Sequence, residues 1–87
     1  MTTIWKYELD VTDIQAVPMP EGAVIRHVGQ QNGQLCVWAE VNASAPSVDL
    51  LFEIIGTGNP MPARNRTYRG SVQVGIFVWH VYTVDGR

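Results

Sequence analysis

Charge and cysteine are scarce in this sequence. Of 87 residues, six are Lys or Arg and eight are Asp or Glu, giving a formal net charge of −2. A net charge of this sign argues against a bulk electrostatic grip on duplex nucleic acid, which needs a basic surface to displace counterions, and leaves room only for a local basic patch. The single cysteine, Cys36, has no partner within the chain. A secreted disulfide scaffold is therefore excluded, and a reducing cytoplasm is the natural setting. No apolar run is long enough to span a bilayer. The first ten residues carry Lys6, Glu8 and Asp10 in place of a basic start and an apolar stretch, so no signal peptide is expected. The sequons Asn42-Ala43-Ser44 and Asn65-Arg66-Thr67 then read as chance matches. Sustained helical periodicity is missing too, and with it the helix-turn-helix of a repressor.

What is present is an apolar fraction of 46%, too high for disorder and of the size for one domain over residues 1–87. Apolar and polar residues alternate over short stretches, broken by Gly, Pro or Asn about every ten residues. The pattern predicts an all-β fold of six or seven antiparallel strands, a small barrel or a two-layer sandwich. Thr3 to Leu9 sets Trp5, Tyr7 and Leu9 against Ile4, Lys6 and Glu8. Ile14 to Val17 reads as an edge strand, because Pro18 and Pro20 cannot donate to a ladder.

Asn32-Gly33 is the dipeptide a type I′ hairpin turn favours. It pairs Gly29 with Cys36, Val28 with Val37, His27 with Trp38, Arg26 with Ala39 and Ile25 with Glu40. Val24, Val28, Leu35, Val37, Ala39 and Val41 then share a buried face. Val48 to Ile55 is apolar at nearly every position and needs cover on both sides. Together with Trp38 and Ile25 outside the first hairpin, it leads us to expect a homo-oligomer. A second hairpin turning at Val74-Gly75 pairs Arg69 with His80, Tyr68 with Val81 and Thr67 with Tyr82. Its apolar face is Tyr68, Val72, Phe77, Trp79 and Val81, with Trp79 over Gly70. Its polar face is Thr67, Arg69, Ser71, His80 and Tyr82. Trp5 and Trp79 are expected in the core.

Chemistry-bearing constellations are few. His27, Cys36 and His80 are the soft metal donors, without CxxC or HxxxH spacing, so no metal and no cofactor is expected. Cys36 near His27 could form a nucleophile–base pair, but a buried inert thiol fits better. Glu40, Glu53 and Asp49 single out no acid–base pair. No catalytic residues are assigned and no enzyme is expected. Gly56-Thr57-Gly58 resembles a phosphate cradle without the Lys and helix of a P-loop, and reads as a turn. The strongest binding set is Arg69, His80 and Tyr82 on one strand face, preceded by Arg64 and Arg66. Guanidinium pairs with phosphate or carboxylate, while imidazole and phenol add a stacking surface, a combination suited to an anionic ring-bearing ligand. His27 beside Trp38 offers a second patch.

Trp5-Lys6-Tyr7, Met19-Pro20-Glu21-Gly22-Ala23, His27 to Gly33, Leu35 to Ala39, Gly56 to Pro60 and Phe77 to Val81 together resemble a family of short tailed-phage and prophage proteins of unknown function. The resemblance implies a small accessory phage protein acting in the bacterial host cytoplasm, and it brings no catalytic residues. In that setting the expected function is stoichiometric: sequestration of a small anionic, nucleotide-like host molecule, as in anti-defence. The alternative is a protein-interaction module that binds a host or phage protein or serves as a virion accessory subunit.

Overall fold

A computed structural model describes residues 1–85. Seven strands run in chain order: β1 (Thr2–Glu8), β2 (Ile14–Pro20), β3 (Val24–Gln31), β4 (Gln34–Asn42), β5 (Ser47–Gly56), β6 (Arg66–Val74) and β7 (Phe77–Val84). They form two antiparallel sheets, ordered β1-β4-β3 and β2-β5-β7-β6. No ladder joins the sheets among the described residues, so the architecture is a sandwich and not a closed barrel. β2 is an edge strand, which is how Pro18 and Pro20 fit within it: a missing N–H costs nothing on the unpaired side.

The inner faces meet in one core of Leu9, Met19, Val28, Leu35, Val37, Ala39, Val41, Phe52, Ile54 and Val81, with Tyr7, Ile25, Val72 and Trp79 packed around it. The sheets lie closest where β3 runs against β6. There Gly70 faces Val28 so tightly that a Cβ at position 70 would sit 2.9 Å from the Val28 Cβ. Trp79 covers Gly56 rather than Gly70 and is opposite Val72. Trp5 lies on the inner face opposite Ala39, but β1 is an edge and leaves it 41% exposed. One buried polar atom has no partner among the described residues, the Tyr7 hydroxyl, and burial raises the Tyr7 pKa above its ordinary 10.0.

The first hairpin turns at Asn32-Gly33 with φ of 53° and 78°, the left-handed pair a type I′ turn demands. Its register follows expectation from Gln31↔Gln34 to His27↔Trp38, then slips at a bulge between Ile25 and His27. Ile25 therefore opposes Ala39 and packs on the core, whereas Val24 opposes Glu40 and is exposed. This reverses the faces expected for both residues. The bulge frees the Arg26 side chain to pair with Glu40 at 2.9 Å.

The second hairpin turns one residue later than its sequence suggests. Gly75 (φ 62°) and Ile76 are the turn residues, in the Gly-X pattern of a type II′ turn, and Val74 pairs with Phe77. A bulge between Tyr68 and Gly70 shifts the register again. The later turn slides the pairing by two residues and sets Ser71 opposite His80 without changing either face, whereas the bulge sets Tyr68 opposite Tyr82, so Tyr68 leaves the apolar face expected for it. Each one-residue slip moves a side chain to the other side of the sheet.

Candidate functional site on the outer face of the larger sheet

Two cross-strand rows emerge from this register. Glu53, Tyr82 and Tyr68 lie side by side on β5, β7 and β6, and Ile55, His80 and Ser71 form the next row. Both rows point away from the core, because Phe52, Ile54 and Val81 take the alternate positions inside. A loop of residues 57–65 folds back over this surface.

Glu53 fastens that loop. Only 1% of it is exposed, and its carboxylate accepts from Arg64 Nε at 3.0 Å and Arg66 Nε at 2.6 Å. Arg66 also donates to the Pro62 carbonyl and lies 5.7 Å from the Tyr82 ring centre. A carboxylate this deep is tolerable only when paired and hydrogen-bonded, so the two guanidiniums are a condition of the fold here. They supply part of the outer cover that β5 needs, a role sequence reasoning gave to a second subunit. The trio keeps a net charge of +1, two guanidiniums against one carboxylate.

His80 is the hub of the second row. Its Nδ1 lies 2.7 Å from Ser71 Oγ and its Nε2 lies 2.8 Å from Thr57 Oγ1. Ser71 Oγ continues to the Tyr68 hydroxyl at 2.5 Å, and the Tyr68 ring meets Tyr82 edge to face. His80 and Tyr82 line a cleft of ≈ 270 Å³ with Thr57, Gly58, Asn59 and Met61. On the other side of Thr57 a second cleft, ≈ 400 Å³, is walled by Ile76, Phe77, Val78 and Trp79.

The structure thus brings together His80, Tyr82 and Arg66 and sets Arg64 nearby on Glu53. Arg69 goes elsewhere. It occupies the bulge and donates through Nε to Thr83 Oγ1 at 2.9 Å, a buried residue whose side chain lies on the core face. The expected pairing of Arg69 with His80 is replaced by Ser71 with His80. His27 and Trp38 lie on the other sheet, ring centres 5.4 Å apart, and belong to a separate patch. Cys36 is fully buried and its thiol donates to the Gln34 carbonyl at 3.4 Å, with no bond to His27 among the described residues. No group of three or more His, Cys, Asp or Glu side chains is placed to hold a metal among the described residues.

Sequence reasoning missed Glu53, Thr57, Ser71 and Tyr68 as members of this site. Glu53 carried a usable signal: a carboxylate flanked on both sides by apolar residues, Leu50 to Phe52 and Ile54 to Ile55, demands a cation, and Arg64 and Arg66 are the next cations along the chain. Ser71 was expected on the polar face with His80 and Tyr82 but not in the binding set, and Thr57 carried no signal, since its contact with His80 depends on how the loop after β5 folds back.

Fold and site together define a two-sheet β-sandwich with a hydroxyl- and imidazole-lined cleft on one outer face. Residues 1–87 match DUF7352, a domain of unknown function, and the chain belongs to that family. No curated protein and no solved structure matches it.

Proposed function

We propose that this domain is a phage-type accessory protein that binds and sequesters a small anionic, nucleotide-like molecule in the cleft between the 57–61 loop and the outer face of β7. The observation that carries the reading is the convergence of His80 and Tyr82 on one cleft with the Gly56-Thr57-Gly58 turn. Tyr82 offers a ring for stacking, Asn59 offers directional hydrogen bonds, His80 holds the Thr57 hydroxyl at the cleft, and Arg66 against Tyr82 adds positive charge from a trio whose net charge is +1. Stacking of a base on an aromatic side chain contributes about 1–3 kcal/mol in comparable single-strand sites. In a host cytoplasm, stoichiometric binding of a diffusible signal is enough for an anti-defence role. Calorimetry against mono-, di- and cyclic nucleotides and ADP-ribose derivatives tests this. Wild type binds at least one at micromolar affinity, and Tyr82→Ala weakens binding roughly tenfold or more. Arg69→Ala leaves it unchanged, because Arg69 faces the other side. No binding by wild type, or equal binding by Tyr82→Ala, contradicts the reading.

A second reading, a protein-interaction module, has its own support in the β6–β7 hairpin tip. Ile76 is 87% exposed and Phe77 58%, with Phe77 stacked on Trp79 at 5.6 Å. Exposed aromatic and aliphatic side chains beside a cleft are the usual anchors of protein interfaces. Photocrosslinking from position 76, with position 32 on the other hairpin as control, gives a specific protein adduct under this reading and none under the first.

A further inference from the structure

We propose that Thr57 is an activated nucleophile, placed to take up an acyl group from a small ester. The inference stands on the geometry around His80 and is independent of the nucleotide reading. Neutral imidazole has one donor and one acceptor nitrogen, so the hydrogen-bond chain Thr57–His80–Ser71–Tyr68 must run in one direction. Thr57 Oγ1 lies 2.8 Å from His80 Nε2 and 3.5 Å from its other acceptor, the Val78 carbonyl. With the ring proton on Nδ1, the tautomer this assignment requires, Nε2 accepts the Thr57 hydroxyl proton; with it on Nε2 the ring donates to Thr57 and the hydroxyl turns to Val78. His80 Nδ1–H then donates to Ser71, and the Ser71 hydroxyl donates to Tyr68. The order is nucleophile, base, orienting group, the logic by which serine and cysteine nucleophiles are activated.

The surroundings suit the chemistry. Thr57 stands between two glycines, Gly58 in the left-handed region with φ of 87°, so the hydroxyl is approached without flanking side chains. It borders both clefts. The one walled by Phe77 and Trp79 is apolar enough for an acyl or aromatic portion, and Asn59, which lines both, brings an amide donor for a developing oxyanion. In the reaction Thr57 Oγ forms a bond to the ester carbonyl carbon while its proton passes to His80 Nε2. The ester C–O bond then breaks, and the alcohol leaves with that proton. Water, deprotonated by the same nitrogen, releases the acid from the acyl-threonine. Ser71 is a positioning residue: it holds the His80 ring and tautomer and does not touch substrate.

A fluorophosphonate probe tests the assignment without any nucleotide present. Attack by Thr57 Oγ forms an O–P bond and expels fluoride. Mass spectrometry is expected to find one adduct, on the peptide containing Thr57. Thr57→Ser keeps it, Thr57→Val and His80→Ala lower the labelling rate at least tenfold, and Ser71→Ala shifts its pH profile. The Thr57→Ser and Thr57→Val pair decides the matter if His80→Ala does not fold, since position 57 is exposed. No adduct on wild type, an adduct on Ser71 or Tyr68 instead, equal labelling of folded His80→Ala, or an unmoved pH profile in Ser71→Ala overturns the proposal.

Discussion

Replacing Arg66 by Ala probes the physical centre of the larger sheet's outer face. The substitution removes the shortest bond to Glu53, at 2.6 Å, a second at 3.3 Å, the donation to the Pro62 carbonyl and the contact with Tyr82. It leaves a carboxylate with 2% side-chain exposure held by Arg64 alone, through one bond at 3.0 Å. Removing one partner of a buried ion pair costs about 3–5 kcal/mol, and the surviving Arg64 lowers this to about 2–4 kcal/mol. For a domain of this size that is a fall in Tm of roughly 10–30 °C. Arg64→Ala removes one bond from a side chain 34% exposed and leaves Arg66 in place, so about 0.5–1.5 kcal/mol is expected. Urea denaturation of both variants measures the difference. Because the carboxylate is buried, raising the salt concentration leaves the Arg66→Ala deficit nearly unchanged. Equal losses for the two variants, or an Arg66→Ala loss below about 0.5 kcal/mol, would refute the claim that burial of Glu53 sets the energetics.

Other substitutions report on the core and the turns. Tyr7→Phe removes the unpartnered buried hydroxyl and is expected to be neutral or stabilising by up to about 1 kcal/mol in thermal melts. Burial raises the Tyr7 pKa in the folded state, so its contribution is complete below the ordinary value of 10.0 and is lost as pH rises beyond it. The Phe variant therefore shows a shallower alkaline loss of stability in pH-dependent melts. Gly70→Ala drives a Cβ against Val28 at 2.9 Å, where neither backbone can easily retreat, and costs about 1–3 kcal/mol by urea titration. Gly75→Ala meets no atom within 4 Å, yet φ of 62° strains any L side chain, and about 1 kcal/mol is expected from the same titration.

How far the sequence carried the fold can be read from its two hairpins. Asn32-Gly33 left one sensible turn, and the register followed as far as His27↔Trp38. It broke at Arg26 because a bulge adds a residue without changing the alternation that precedes it. In the second hairpin Val74-Gly75 and Gly75-Ile76 are both two-residue candidates, and an exposed Ile at a turn tip argues for the wrong one. That turn shift changes which residues stand opposite one another, and the bulge at Arg69 changes which of them share the outer face. His80 and Tyr82 stayed together because they lie two apart on one strand, a relation no register can alter. Arg69 was separated from them because its place depended on pairing. The loop from Thr57 to Asn65 has no periodicity, so its docking on Glu53 could be inferred only from the charge of a residue that has to be neutralised where it is buried.

The ligand site is proposed to be the cleft shared by Thr57, Asn59, His80 and Tyr82. Backbone and imidazole NMR shifts followed during titration with the nucleotide panel test it most directly. Saturable shifts confined to residues 56–61, His80 and Tyr82 are expected, with His27, Trp38 and Arg69 unmoved. Shifts centred on His27 and Trp38, or none with any nucleotide at millimolar concentration, would contradict it.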